Sequence, residues 1–196
     1  MNIPNTITVG RLVLAVGFFG LLTWYLQTQG AVSNGGGGPD QGAWILDLAL
    51  GVFVAAAVSD WLDGYMARRL DMTTTFGRIA DPMADKIVVC GAFAYFLPIG
   101  DRTFVMPWMV VLILTREFVI TGLRAYAESQ GRAYGALYLG KLKMWVQCMT
   151  IGTILVYLGH FEGERWAEIV TQGAVYVTVA MTVGSAIPYL RQGTKV

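Results

Sequence analysis

The sequence predicts an all-α integral membrane protein with six transmembrane helices in a single domain, 1–196. Three observations predict it. The 196 residues are 55% hydrophobic and only 14% charged, against about 25% charged in soluble domains. Six apolar runs have the length that crosses a bilayer as a helix, about 20 residues. Four aspartates gather in one short stretch of this apolar chain instead of being spread over loops.

The spans follow in order. The first covers about Ile7–Leu26, after a short polar start. It has no basic leader and no small-residue cleavage site, so a cleaved signal peptide is not expected. The loop Gln29–Gln41 contains Gly35-Gly-Gly-Gly38. A phosphate-cradling glycine loop needs a lysine and a helix start close behind it, whereas Pro39-Asp40 follows here. A flexible linker is the expectation. The second span covers about Ala43–Arg69 and is apolar only up to Val58. The third is about Pro82–Pro98. The fourth, about Phe104–Tyr126, is interrupted by Arg116, Glu117 and Arg124. The fifth, about Tyr134–Leu158, carries Lys141 and Lys143 near its start. The sixth is about Ala167–Leu190.

Lys and Arg asymmetry sets orientation. Of the fourteen basic residues, only Arg102 and Arg165 fall on one side and the other twelve on the opposite side. Both termini and the acidic stretch are therefore expected to face the cytoplasm. Cys90 and Cys148 sit in apolar runs and read as packing residues without a disulfide. His160, the lone histidine, closes an apolar run, so a histidine-based metal site is excluded. The tryptophans cluster near span ends as interfacial anchors. No nucleic-acid partner is expected.

The acids carry the chemistry. Asp60 and Asp63 are three residues apart, and Asp81 and Asp85 four, so each pair shares a helix face. An antiparallel hairpin turning near Thr73–Thr75 and Gly77 brings both pairs to one level. Acids at membrane depth cost roughly 2.5–3.5 kcal/mol each on insertion scales, and four would cost on the order of 10 kcal/mol if unanswered. Oxygen-only ligand sets suit hard divalent cations, and a pair of such ions about 3.5–4 Å apart clamps a phosphoryl group. Gly64 and Ala67 leave room beside the acids, Arg68 offers a fork suited to phosphate, and Gly77 permits close backbone approach. Simpler roles exist for each acid: Asp81 before Pro82 as a helix cap, Asp60 and Asp63 as interfacial partners of Arg68 and Arg69.

The spacing from Asp60 through Asp63-Gly64, Ala67-Arg68, Gly77 and Asp81 to Asp85 resembles the signature of the CDP-alcohol phosphatidyltransferases, without a departure. Asn2-Ile-Pro-Asn-Thr-Ile-Thr with Arg11, Thr115-Arg-Glu-Phe-Val-Ile-Thr-Gly-Leu-Arg124 and Gly140-Lys-Leu-Lys143 are similar to the phosphatidylglycerophosphate synthase branch of that family. The resemblance implies a six-helix membrane enzyme, a homodimer, that uses Mg2+ or Mn2+, with two ions. It implies that Asp60, Asp63, Asp81 and Asp85 bind the metals and that Asp85 takes the proton of the attacking hydroxyl. It assigns Gly64, Arg68, Thr74 and Gly77 to CDP-diacylglycerol.

Arg116, Arg124, Lys141 and Lys143 lie toward the expected cytoplasmic ends of spans four and five. They suit a phosphate-bearing acceptor such as glycerol 3-phosphate. Ordinary topology-setting charge is the competing account, and Glu117 can pair with Arg124 or Lys141. Arg116 and Arg124, slightly over two turns apart, can share a face. The implied reaction is a metal-assisted phosphoryl transfer to glycerol 3-phosphate with release of CMP. Inositol phosphate, serine or phosphatidylglycerol are rival acceptors within the family. A carboxylate-lined metal-ion transporter is the rival outside it, and needs acids in several spans.

Overall fold

The computed structural model describes residues 3–33, 42–70, 86–130 and 138–193, with side chains for 10–30, 42–59, 86–127, 129–130, 140 and 142–188. Among the described residues all regular structure is helical. Five long helices and one shorter described segment follow one another: α1 (Ile3–Ser33), α2 (Ala43–Leu70), the shorter α3 (86–95), α4 (Pro107–Ser129), α5 (Tyr138–Val156) and α6 (Arg165–Gly193). Lipid offers no hydrogen bonds, so each spanning segment must satisfy its backbone within its own helix. The parts long and apolar enough to cross a membrane are Gly10–Gly30, Leu142–Phe161 and Arg165–Pro188, with a shorter apolar stretch at Ala43–Ser59. That last stretch ends where the sequence places the end of apolar character in span two.

Several boundaries differ from expectation: α1 starts at Ile3, α4 runs Pro107–Ser129 and α6 ends at Gly193, and two further differences carry contacts or a change of helix type. The helix α1 continues to Ser33, past the expected loop start at Gln29. Thr28 and Gln29 are used there: the Thr28 hydroxyl donates to the Tyr25 carbonyl at 2.7 Å, and Gln29 accepts from Arg102 at 3.0 Å. The helix α5 is extended by a widened π turn at Tyr157–Phe161, three residues past the expected end at Leu158. The glycine run 35–38 lies outside the described residues.

The helices α1 and α2 pack antiparallel. Phe18 meets Phe53 (ring centroids 5.5 Å apart), and Trp24 meets Trp44 edge-on at 5.0 Å. The helix α3 lies on α1, where Gly91 faces Phe19 so closely that a Cβ would overlap the ring. Tyr95 then stacks on Phe19 at 5.2 Å, and its hydroxyl lies 3.1 Å from Thr23 Oγ1. Also in contact are α2 with α5, α5 with α6, and α4 with α6. Thr150 and Thr178 join α5 to α6 by a buried hydroxyl pair at 2.8 Å. Small hydroxyl residues of this kind bind helices together where apolar burial alone gives little driving force. Outward faces carry large apolar residues, with Val16 73% and Phe118 68% exposed. A soluble monomer seldom shows so much apolar surface, and lipid is the solvent that suits it. The protein is an integral membrane protein.

The end of the bundle opposite the acidic stretch is tied by Arg102. After α3, a 3-10 turn (Leu97–Ile99) and a one-turn helix (Gly100–Thr103) lead to Phe104, whose left-handed φ of 61° ends that helix. The Arg102 guanidinium forks onto both Glu162 oxygens and also reaches Gln29 and Tyr25. Its hydrogen bonds to Glu162 raise its pKa still further, so it stays charged. His160 lies on this end, 3.6 Å from Asp47.

Candidate functional site

The acidic stretch begins on α2. Helix positions 60, 63, 64 and 68 fall in its last three turns, and 60 and 63 are spaced to share a face. The side chains of Asp60, Asp63 and Arg68, and the surroundings of Gly64, lie outside the described residues. So do Thr74, Gly77, Asp81, Asp85 and the expected turn near Thr73–Thr75. Among the described residues no cluster of His, Cys, Asp and Glu could hold a metal ion.

What the described residues do show is the level at which this stretch sits. Arg11, Ala56, Val89 and Met144 line one small cavity of about 30 Å³, so α1, α2, α3 and α5 meet there. One turn further along α2 is position 60. Three residues back along α3 is Lys86, which follows Asp85 in sequence. Lys86 donates to the Thr121 hydroxyl of α4, and that hydroxyl donates to the Glu117 carbonyl at 2.6 Å. The start of α3 is thereby moored to the middle of α4.

Glu117 is the centre of the charged network. It is buried, and its Oε1 accepts from Lys143 Nζ of α5 and from Arg116 Nη1 at 3.1 Å. Among the described side chains Glu117 pairs with Lys143, a partner the sequence did not single out, while the expected alternative Lys141 has its side chain outside the described residues. A buried lysine needs such a partner, because an unpaired charge in the interior is costly. Arg116 and Arg124 lie on one continuous helix and are both half-buried. Glu117, Arg124 and Arg116 all lie within electrostatic reach of Lys86. The described side chains here thus bring together four cations, Lys86, Arg116, Arg124 and Lys143, and one carboxylate. Arg116 and Arg124 make further interactions beyond these. The side chain of Lys141 lies outside the described residues.

Lys86 carries no mark in the sequence beyond its charge, and Thr121 carries none. No spacing signal marks a hydroxyl that meets a lysine 35 residues away. Arg11 was read for its charge and its place in the N-terminal segment; its burial at 3%, against α2, α3 and α5, is a tertiary fact. Cys90 and Cys148 form no disulfide, as expected.

An apolar groove of about 770 Å³ runs between α2, α5 and α6. Leu50, Val54 and Val58 line one side, Trp145 and Met149 another, and Trp166 one end.

The sequence profile of the CDP-alcohol phosphatidyltransferase family matches residues 1–184, which take in all but the last turns of the final helix. The chain belongs to this family. Among its relatives, the CDP-diacylglycerol–glycerol-3-phosphate 3-phosphatidyltransferase of Bacillus subtilis is 33% identical, covering 91% of this chain and 90% of that protein. The enzyme of the same name from Haemophilus influenzae is 29% identical over 97% and 92%. A cardiolipin synthase (CMP-forming) from rice is 30% identical, covering 98% of this chain and 57% of that longer protein. As a CDP-alcohol phosphatidyltransferase the chain is a transferase of phospholipid biosynthesis, in a family that generally depends on a divalent metal.

Proposed function

We propose that this CDP-alcohol phosphatidyltransferase transfers a phosphatidyl group from CDP-diacylglycerol to glycerol 3-phosphate, giving phosphatidylglycerophosphate and CMP. The observation that carries the reading is the near full-length likeness to enzymes named for that reaction, including the Bacillus subtilis relative. The cation cluster around Glu117 supports it, because the acceptor is itself a phosphate. The whole chain works as one domain.

The four aspartates Asp60, Asp63, Asp81 and Asp85 would hold two Mg2+ or Mn2+ ions. Their chemistry fits: all are hard oxygen donors, and positions 60 and 63 lie one turn apart on α2. When bound, such ions neutralise pyrophosphate and favour departure of CMP. Arg68 grips phosphate, while Gly64, Thr74 and Gly77 accommodate the CDP group. Asp85 takes the proton from the acceptor hydroxyl as that oxygen attacks the phosphorus bearing diacylglycerol; general-base help is typically worth about 10²–10⁴-fold. Arg116, Arg124, Lys141 and Lys143 supply the field that attracts and orients the acceptor phosphate, so much of the acceleration comes from positioning. The apolar groove beside α2 suits an acyl chain of the lipid substrate. The active end and both termini face the cytoplasm, and the enzyme works as a homodimer.

The rice relative favours a second reading, with phosphatidylglycerol as acceptor. Purified protein given CDP-diacylglycerol and each acceptor in turn separates the two. The proposal expects CMP release with glycerol 3-phosphate and a phosphatidylglycerophosphate spot on thin-layer plates. Cardiolipin as the sole lipid product would replace it with the second reading.

A further inference from the structure

One stripe of α5 is polar and buried: Lys143, Gln147 and Thr150, at four- and three-residue spacing, are each 4% exposed or less. Most of the polar groups around it are hydrogen-bonded. Lys143 donates to Glu117 of α4. Thr150 bonds to the Thr178 hydroxyl and the Ala174 carbonyl of α6. Farther along α6, the buried hydroxyls of Thr182 and Ser185 donate to the carbonyls of Thr178 and Thr182. Gln147 differs. It is 2% exposed, and its Nε2 meets no hydrogen-bond partner among the described residues. A buried amide donor left unpaired is costly, and one kept in a native fold needs a reason. Its position supplies one. Met144 and Cys148, either side of it in sequence, line the cavity shared with Ala56 of α2 and Val89 of α3. Gln147 is therefore level with those residues, about one turn from positions 60 and 86. Side chains lean toward the N-terminus of their helix, and α5 begins at the acidic end of the bundle. The amide accordingly leans toward the level of the acidic stretch, on the stripe that carries Lys143.

We propose that Gln147 determines specificity for the acceptor: its carboxamide hydrogen-bonds the central hydroxyl of glycerol 3-phosphate. That acceptor presents three kinds of polar group. Its phosphate calls for cations, and its attacking hydroxyl for a base, the part given to Asp85. The central hydroxyl is neutral and calls for a neutral partner inside the bundle. A carboxamide N–H donates to its oxygen, and the hydroxyl donates in turn to an amide oxygen, so either end of the amide can serve. A donor that is unpaired in the fold and paired by the acceptor gives up no internal bond on binding. It therefore discriminates against a molecule that lacks the hydroxyl. The inference rests on the glycerol 3-phosphate reading given above.

The test pairs a variant with an analogue. Gln147→Met keeps the length of the side chain and removes the amide. 3-Hydroxypropyl phosphate is glycerol 3-phosphate without the central hydroxyl. Initial rates of CMP release give kcat/KM for both acceptors, and thermal unfolding in detergent gives stability. The unmodified enzyme is expected to favour glycerol 3-phosphate over the analogue by about 10–100-fold. Q147M brings that ratio close to one by losing activity toward glycerol 3-phosphate alone. KM for CDP-diacylglycerol holds, and the unfolding temperature holds or rises, because no internal hydrogen bond is lost. An unmodified enzyme that treats the two acceptors alike overturns the proposal, as does a ratio unchanged in Q147M. So does an equal loss with both acceptors together with a lower unfolding temperature, which marks an amide serving packing or a buried water. Gln147→Leu carries the same comparison if Q147M does not fold, and loss of the fold in both variants overturns the proposal. If the unmodified enzyme releases CMP only with phosphatidylglycerol, the acceptor reading alone fails. That lipid's head group carries the same central hydroxyl, and its propanediol analogue then decides the role of Gln147. Turnover only with acceptors that lack a glycerol overturns both.

Discussion

The two ends of the helical bundle solve charge in opposite ways. At one end Arg102 meets Glu162 as a fork on a carboxylate, partly exposed, with Gln29 and Tyr25 taking the remaining donors. One cation answers one anion, and the contact ties α1, the α3–α4 connection and the end of α5 together. At the other end Glu117 is shared between two cations, with Lys86 and Arg124 close by. The first arrangement is closed and holds the fold. The second gathers several cations around one buried carboxylate among the described side chains, level with the acidic stretch of α2, and ionisable groups inside a membrane protein mark a functional place.

That contrast yields a graded set of expectations. The largest effect belongs to the acidic stretch: Asp85→Asn lowers CMP release by about 10²–10⁴-fold, while thermal unfolding in detergent stays put. A variant of near-normal rate would remove Asp85 from the chemistry. Next comes the open network. Arg116→Ala raises KM for glycerol 3-phosphate by about 10–100-fold, the range for hydrogen bonds to a charged group at roughly 1.5–3 kcal/mol; Arg116→Lys recovers little, because a lysine cannot reproduce the planar fork. Equal losses for both lipid and acceptor KM would break the division between them. Val54→Trp narrows the apolar groove. Overpacking of about 1–3 kcal/mol then appears as a rise in KM for CDP-diacylglycerol, with the acceptor KM unmoved, measured with short- and long-chain substrates. The smallest effect is at the closed end. Arg102→Met costs about 0.2–1 kcal/mol of stability, as partly exposed ion pairs do, and leaves kcat and both KM values alone. A loss of turnover there would show that the two ends are coupled.

Much of this molecule is legible along the chain. Residues Gly10–Gly30, Leu142–Phe161 and Arg165–Pro188 declare themselves as membrane helices because lipid leaves the backbone no other partner. Helix periodicity puts 60 beside 63 on α2, while the expected pairing of Asp81 with Asp85 falls outside the described residues. Family membership follows from the same spacing, and the profile match over 1–184 agrees with it. What periodicity cannot say is which of several nearby groups a long side chain reaches. Along the chain Glu117 has Arg124 and Lys141 as candidate partners, and the packing of α5 presents Lys143 as well. The mooring of Lys86 on Thr121, the burial of Arg11 and the fork of Arg102 on Glu162 are of the same kind. Local sequence sets where helices run and what charges they carry, since those depend on neighbours three and four residues away. The pairing of those charges depends on how helices distant in sequence are rotated against one another, and only the assembled bundle decides that.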